Sequence, residues 1–561
     1  MLQLLINLLT PIFEGMGVSP TDVATYVHNL SGYIYAILGT LVLAGNNGVL
    51  PLSGTDKINV FGWAATNPIY GGTGSGSSSN EGNIDILTSL KNAGFEVNQE
   101  LIDMYTEYSP TRTLAGVGVG FTDWSLPEPP ADRYTDELMN NAKAFSDTAV
   151  IVLARSGGEG QDLPAEMAPG TGRTAMNALG KILKGTVNPS GRTVETYIYD
   201  QKATPAYNNY GSFTYDNVDA LLEQYTAFDP GFQGALSFVN YVEGIYVGYR
   251  FYETAYAEAQ AGSMTFDYDS VVQYPFGHGL SYTTFTQEIQ DFTDRGDHVT
   301  FRVVVTNTGS TAGKDVVEVY FTPPYNNGGI EKAAVNLVNF AKTDLIYGWY
   351  GPAMNTHRTA FNGRSFEYYS EDGVLVGCIA SAEINAAGEK GVYAYIKHFV
   401  ANDQEINRCT AQQIYLTEQT LREIYMKPFE ICVKNYDYDN NPLAVMTSFT
   451  LIGSKWTGAN SELLNGVLRG EWGFQGMVLT DWFGSYGYQV TMDSVLNGND
   501  MMLGFGSNVR TEVENLDSPT MVKAHCGNSL PPLPQEESAG IILDSLFNAV
   551  AGSVQGPAIA K

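Results

Sequence analysis

The stretch Gly473-Phe474-Gln475-Gly476-Met477-Val478-Leu479-Thr480-Asp481-Trp482 decides how this chain is read. Its short apolar run, Met477 to Leu479, predicts a buried strand that stops at a carboxylate beside a large aromatic. A carboxylate at the C-terminal end of such a strand stands where parallel α/β folds keep their chemistry. Taken alone, Asp481 could also be the N-cap of a helix that begins at Trp482-Phe483-Gly484. Two upstream segments repeat the strand-then-polar pattern. Tyr393-Ala394-Tyr395-Ile396 runs into Lys397-His398-Phe399, then into the polar run Asn402-Asp403-Gln404-Glu405-Ile406-Asn407-Arg408. Ala444-Val445-Met446 runs into the hydroxyls of Thr447 and Ser448.

Composition narrows the classes. Sixty acidic against thirty basic residues give a net charge of −30, which argues against a nucleic-acid partner. Such acidity serves solubility. A length of 561 residues suits about three domains. Cys378, Cys409, Cys432 and Cys526 lack the spacing of a disulfide framework, so free thiols in a reducing compartment are expected. No His, Cys or carboxylate grouping has metal-ligand spacing, and no cofactor is expected. Leu2 to Phe13 is apolar without a basic flank, which makes a poor signal peptide. Tyr33 to Ala44 falls short of the roughly 18–20 residues a bilayer span needs. A core helix and strand is the favoured reading there over a trimmed membrane anchor, and the expected location is cytoplasmic or cell-associated. Oligomeric state leaves no mark on the sequence.

A second carboxylate stands far upstream. Ala149 to Arg155 reads as a buried strand feeding Ser156-Gly157-Gly158-Glu159-Gly160-Gln161-Asp162. Glycines on both sides of Glu159 let the backbone turn and the side chain project, although a solvated acidic loop would look the same. Gly71 to Gly76 is glycine-rich after a strand, but lacks both a Gly-Lys-Ser/Thr ending and G-x-G-x-x-G spacing, which disfavours a nucleotide site. After Phe285 the period changes: Val299, Phe301, Val303 and Val305 alternate with polar residues, as in a half-buried strand of a small β-sandwich.

The segments KHFVANDQEINR (397–408), VMTSF (445–449), LLNGVLRGEWGFQGMVLTDW (463–482) and NGRSFEYYSED (362–372) resemble glycoside hydrolase family 3, the β-glucosidase family. The resemblance implies an α/β multidomain fold: an α/β sandwich over 46–284, a fibronectin-III-like β-sandwich over 285–343 and a partial (β/α)8 barrel over 344–510. An apolar segment (1–45) precedes them and a tail (511–561) follows. It further implies that Asp481 is the nucleophile and that Arg364, Lys397, His398 and Trp482 bind sugar. Glu159, in a "GEG-x-D" loop, would be the acid/base. The expected activity is a retaining exo-acting β-glycosidase, foremost a β-glucosidase, acting on β-linked glucosides or oligosaccharides. Most members place the barrel first; here it comes last. The family's early barrel strands, with their "DGP" aspartate, have no counterpart in the chain. The alternative expectation is therefore a catalytically impaired or non-catalytic carbohydrate-binding relative.

Overall fold

The computed structural model describes residues 32–503 apart from 38–39, 47, 53, 69–83, 109–127, 154–156, 161, 164–175, 212, 229–235, 297, 326–327, 342–350, 390–393, 439–442, 482–488 and 502. The glycine-rich Gly71–Gly76 segment, Trp482, Cys526 and both chain ends lie outside the described residues.

The expectation of a helix and strand near residue 40 is corrected. β1 (Gly32–Ile37) and β2 (Thr40–Asn46) form an antiparallel hairpin. Tyr33, Ile34, Tyr35, Ile37, Val42 and Leu43 are aromatic, β-branched or aliphatic, and strand pairing suits them. Next comes a parallel sheet in the order β4-β3-β5, built from β3 (Lys57–Phe61), β4 (Glu96–Val97) and β5 (Ala149–Ile151). The fully buried Ile58 and Val60 of β3 pack with Leu90 of α1 (Ile86–Asn92) and Ile102 of α2 (Gln99–Tyr108). α3 (Asp136–Phe145) and α4 (Met176–Leu183) continue this layer.

The chain then forms β6 (Tyr197–Ile198), β7 (Phe213–Thr214), β8 (Ser237–Asn240), α5 (Tyr249–Gln260) and β9 (Val272–Tyr274). Two antiparallel hairpins follow, β10 (Phe285–Asp294) with β11 (Val299–Asn307) and β12 (Val317–Phe321) with β13 (Asn336–Ala341). An ion pair of 2.7 Å from Arg192 to Asp315 ties this module to the preceding layer.

The last region holds α6 (Gly373–Gly388), β14 (Tyr395–Phe399), β15 (Gln413–Tyr415), α7 (Lys427–Lys434), β16 (Ala444–Thr447), β17 (Leu451–Ile452), β18 (Lys455–Trp456) and β19 (Met477–Leu479). β14, β16 and β19 pair in parallel in that order. Ala353 bridges in parallel to Lys397 on one flank, and Met501 to Leu479 on the other. Five parallel segments thus lie side by side in chain order among the described residues. Ile396, Val445 and Val478 pack with Val376 and Ala380 of α6 and Phe429 and Cys432 of α7. Tyr395, Met446, Met477 and Leu479 form a separate cluster, so alternate residues serve two cores. Burial on both faces is why these strands read as unbroken apolar runs. A five-stranded sheet, β18-β17-β15-β8-β7, joins the early and late regions, with Val239 of β8 set parallel to Ile414 of β15.

Candidate active site

Strand ends and one loop build the site. Asp481 follows β19 by two residues and is buried. Lys397 and His398 lie on β14, in the same sheet but separated from β19 by β16. The hydroxyl of Ser448, at the end of β16, is used inside the fold: it donates to the Val400 carbonyl at 2.9 Å. Arg408, in the polar run after β14, is held over the Phe449 ring at 4.8 Å.

Glu159 reaches this site from the other side. Its loop packs so tightly that a Cβ on Gly157 would stand 2.5 Å from the Gly363 carbonyl, and Gly160 takes a φ of +91°. Glycine suits both positions for these reasons, one steric and one conformational. Several bonds bind the loop across the interface. Gly160 N–H donates to Glu405 Oε2 at 2.9 Å, and Leu163 N–H to the Phe361 carbonyl at 2.7 Å. Asp162 Oδ1 accepts from Gly363 N–H at 3.2 Å and Glu405 N–H at 2.8 Å, while its Oδ2 accepts from Ile406 N–H at 2.8 Å.

One guanidinium spans the two carboxylates. Arg408 Nη2 donates to Glu159 Oε1 at 2.6 Å, and its Nη1 lies 3.7 Å from Asp481 Oδ2. Its Nε stands 3.1 Å from Glu405 Oε2. Glu159 and Asp481 are therefore brought together from positions 322 residues apart. Arg364 Nη1 lies 3.7 Å from Glu159 Oε1, and Arg364 Nε donates to Glu367. Lys397 Nζ lies 3.7 Å from Glu367 Oε2. Burial would raise the Glu367 carboxyl, but the charges of Arg364 and Lys397 outweigh it and hold the group below its ordinary value.

His398 resolves into a neutral side chain. Burial, with the positive charges of Arg364, Lys397 and Arg408, pushes its pKa well below the ordinary value. Asn355 fixes the tautomer. Its amide nitrogen donates to the His398 carbonyl at 3.0 Å, so its Oδ1 must be the acceptor of the His398 main-chain N–H at 3.0 Å. The same Oδ1 faces His398 Nδ1 at 3.2 Å, which places the ring proton on Nδ1 and leaves Nε2 an acceptor. The 3.6 Å approach of Nε2 to Asp481 is thus no ion pair.

Carboxyls deeper in the site are pushed upward. Burial lifts Asp403 and Glu405 to about 7, although Arg408 pulls Glu405 the other way. Burial also raises Asp162 against the pull of the Glu405 N–H, the Tyr210 side chain and the N–H groups of Ile406 and Gly363. Among the described residues, no group of three or more His, Cys, Asp or Glu side chains is placed to hold a metal. Cys378, Cys409 and Cys432 carry free thiols. Arg408, Glu405, Glu367 and Asn355 were given no role from sequence. The dense polar run directly after β14 was the visible signal for Arg408 and Glu405, the segment 362–372 was that for Glu367, and Asn355 had none.

The structure brings Asp481, Glu159, Arg364, Lys397 and His398 to one place; Trp482 falls outside the described residues. Comparison with known proteins agrees in pattern. Residues 41–249 match the model of the "Glycosyl hydrolase family 3 C-terminal domain" and residues 336–510 that of the "Glycosyl hydrolase family 3 N terminal domain". A β-glucosidase of Rhizobium radiobacter is 45% identical over 168 residues, which is 30% of this chain and 20% of that protein. A β-glucosidase of Ruminococcus albus aligns at 22% identity over 724 positions, engaging 79% of this chain and 72% of its own length. An alignment longer than the chain leaves long stretches of that relative facing no residue here. The crystal structure of a β-glucosidase from Paenibacillus barengoltzii shares the fold, with a TM-score of 0.70 at 19% identity, covering 92% of this chain and 84% of that one. The region matching the C-terminal-domain model precedes the one matching the N-terminal-domain model, and the two together span well over half of the sequence: the chain belongs to glycosyl hydrolase family 3, with its domain order inverted.

Proposed function

We propose that this chain is a retaining exo-acting β-glycosidase, and that its reaction is release of glucose from terminal β-D-glucosyl residues. The observation that carries the reading is Arg408 bridging Glu159 and Asp481 from two regions of the chain. In the reaction, Asp481 attacks the anomeric carbon through an oxocarbenium-like transition state while Glu159 protonates the leaving oxygen. The glycosyl–Asp481 ester is then cleaved by a water that Glu159 deprotonates. Arg408 pairs with Oε1 of Glu159 in this structure, so the proton for the leaving oxygen is carried on Oε2 or the pair opens before donation. Arg364 and Lys397 offer cationic donors to sugar hydroxyls, and the Nε2 of neutral His398 accepts from one. Trp482 completes the proposed sugar site.

The five parallel segments are read as the later part of a (β/α)8 barrel, and the hairpins β10–β13 as a fibronectin-III-like module. Among the described residues the late region shows five such segments, fewer than a full barrel needs, which favours the second reading, a sugar-binding relative with impaired turnover. Hydrolysis of an aryl β-glucoside by the purified chain, beside Asp481→Asn and Glu159→Gln, separates the two. Turnover lost in Asp481→Asn and strongly reduced in Glu159→Gln supports the enzyme. A folded chain that binds glucose without turnover supports the binder.

A further inference from the structure

The sequence reading singled out Asp162 only as the last letter of a motif, and the mechanism above gives it no work. We propose that Asp162 is a positioning residue for proton transfer: it latches the Glu159 loop to the strand-end loops and so sets where the Glu159 carboxyl stands. This rests on the assignment of Glu159 as acid/base.

The geometry is specific. Asp162 belongs to the early region, yet its main-chain donors Gly363, Glu405 and Ile406 come from the late region. Those donors neighbour the two arginines that contact Glu159: Gly363 precedes Arg364, and Glu405 and Ile406 lie just before Arg408. One carboxylate therefore fixes both the loop and the frame against which Glu159 is placed. The rest of the loop repeats the logic more weakly, through Gly160 N–H on Glu405 and Leu163 N–H on the Phe361 carbonyl. Glu159 sits between two glycines, residues with the most backbone freedom to lose, and the preceding strand β5 ends at Ile151. A residue that supports the reacting group without touching substrate holds it within the fraction of an ångström that proton transfer tolerates.

The test exploits a property of acid catalysis. A leaving group that departs unaided needs no proton, whereas a poor one does. kcat/KM is measured for 2,4-dinitrophenyl, 4-nitrophenyl and phenyl β-glucosides with the wild-type chain, Asp162→Asn, Asp162→Ala and Glu159→Gln. Asn keeps one oxygen for Gly363 and Glu405 but turns an N–H₂ toward Ile406, so it loosens the latch without removing it. The expected result is a graded loss for Asp162→Asn: about 10²-fold on the phenyl glucoside, little on the dinitrophenyl one, carried by kcat rather than KM. Glu159→Gln should show the same grading more deeply.

Equal loss on all three substrates, or no loss, in Asp162→Asn beside a graded Glu159→Gln overturns the positioning role alone. An ungraded Glu159→Gln overturns the acid/base assignment and the inference with it. Amide exchange supplies a readout that needs neither turnover nor the alanine variant to fold. Peptides covering 157–163 and 405–408 should exchange faster in Asp162→Asn than in the wild type, and unchanged exchange at both contradicts the latch.

Discussion

The two carboxylates proposed for catalysis are held in opposite ways. Asp481 stands two residues beyond β19, in a sheet with cores on both sides, and its side chain is 11% exposed. Glu159 hangs from a glycine-flanked loop, is 28% exposed, and takes its bonding partner from the far side of the interface. The nucleophile's place is thus fixed by its own sheet, and the acid/base's place by how two regions dock. Substitutions in the sheet that carries Asp481 should show first as lost stability, and substitutions in the Glu159 loop as lost catalysis in a folded chain.

The largest break should come from the nucleophile. Asp481→Asn is expected to lower turnover of an aryl β-glucoside by at least about 10⁴-fold, with the far-UV spectrum unchanged. Glu159→Gln should cost about 10²–10⁴-fold on a poor leaving group. Arg408 tests the link between the two sides. Removing it leaves Glu405 buried without its cation, so Arg408→Met should destabilise by about 3–5 kcal/mol in denaturant unfolding. Adding Glu405→Gln should recover most of that stability and none of the turnover, which separates the structural pairing from the catalytic bridge.

Smaller effects sharpen the contrast. Glu371, Asp403 and Glu405 are each pushed up to about 7 by burial. Each folded value is above the unfolded one, so their contribution is full below the ordinary carboxyl range and is lost as pH rises through about 7. His398 has the opposite sign: its lowered folded value makes stability fall as pH drops below its ordinary 6.5. The melting temperature should therefore be several degrees lower at pH 8 than at pH 6.5, and Glu371→Gln should flatten that slope. Gly160→Ala, at a φ of +91°, should cost roughly 1 kcal/mol and a modest part of kcat, the mildest test of loop placement.

Legibility followed the same divide. Asp481 could be found because an unbroken apolar run marks a strand buried on both faces, and a charged residue ending it is visible in one dimension. Glu159 could be suspected from its glycines, but the reason for Gly157 is the Gly363 carbonyl, which no local pattern reveals. Arg408 and Glu405 lay in a polar run that gives no sign of which side chain faces which partner. The neutral state of His398 comes first from burial and then from the charges of Arg364, Lys397 and Arg408, and no spacing announces that burial. The hairpin β1–β2 was misread because a short apolar run fits a buried helix and a strand alike. The sheet joining β8 to β15 pairs segments 175 residues apart, beyond the reach of any periodicity.

Whether Asp481 is the nucleophile is decided by covalent labelling of the intact chain with 2,4-dinitrophenyl 2-deoxy-2-fluoro-β-D-glucoside, followed by peptide mapping. The fluorine slows both steps and the good leaving group restores the first, so a retaining enzyme accumulates its glycosyl ester. One sugar equivalent is expected on the peptide containing Asp481, and none in Asp481→Asn. A label on another carboxylate, or a folded chain that takes up none, would contradict that role.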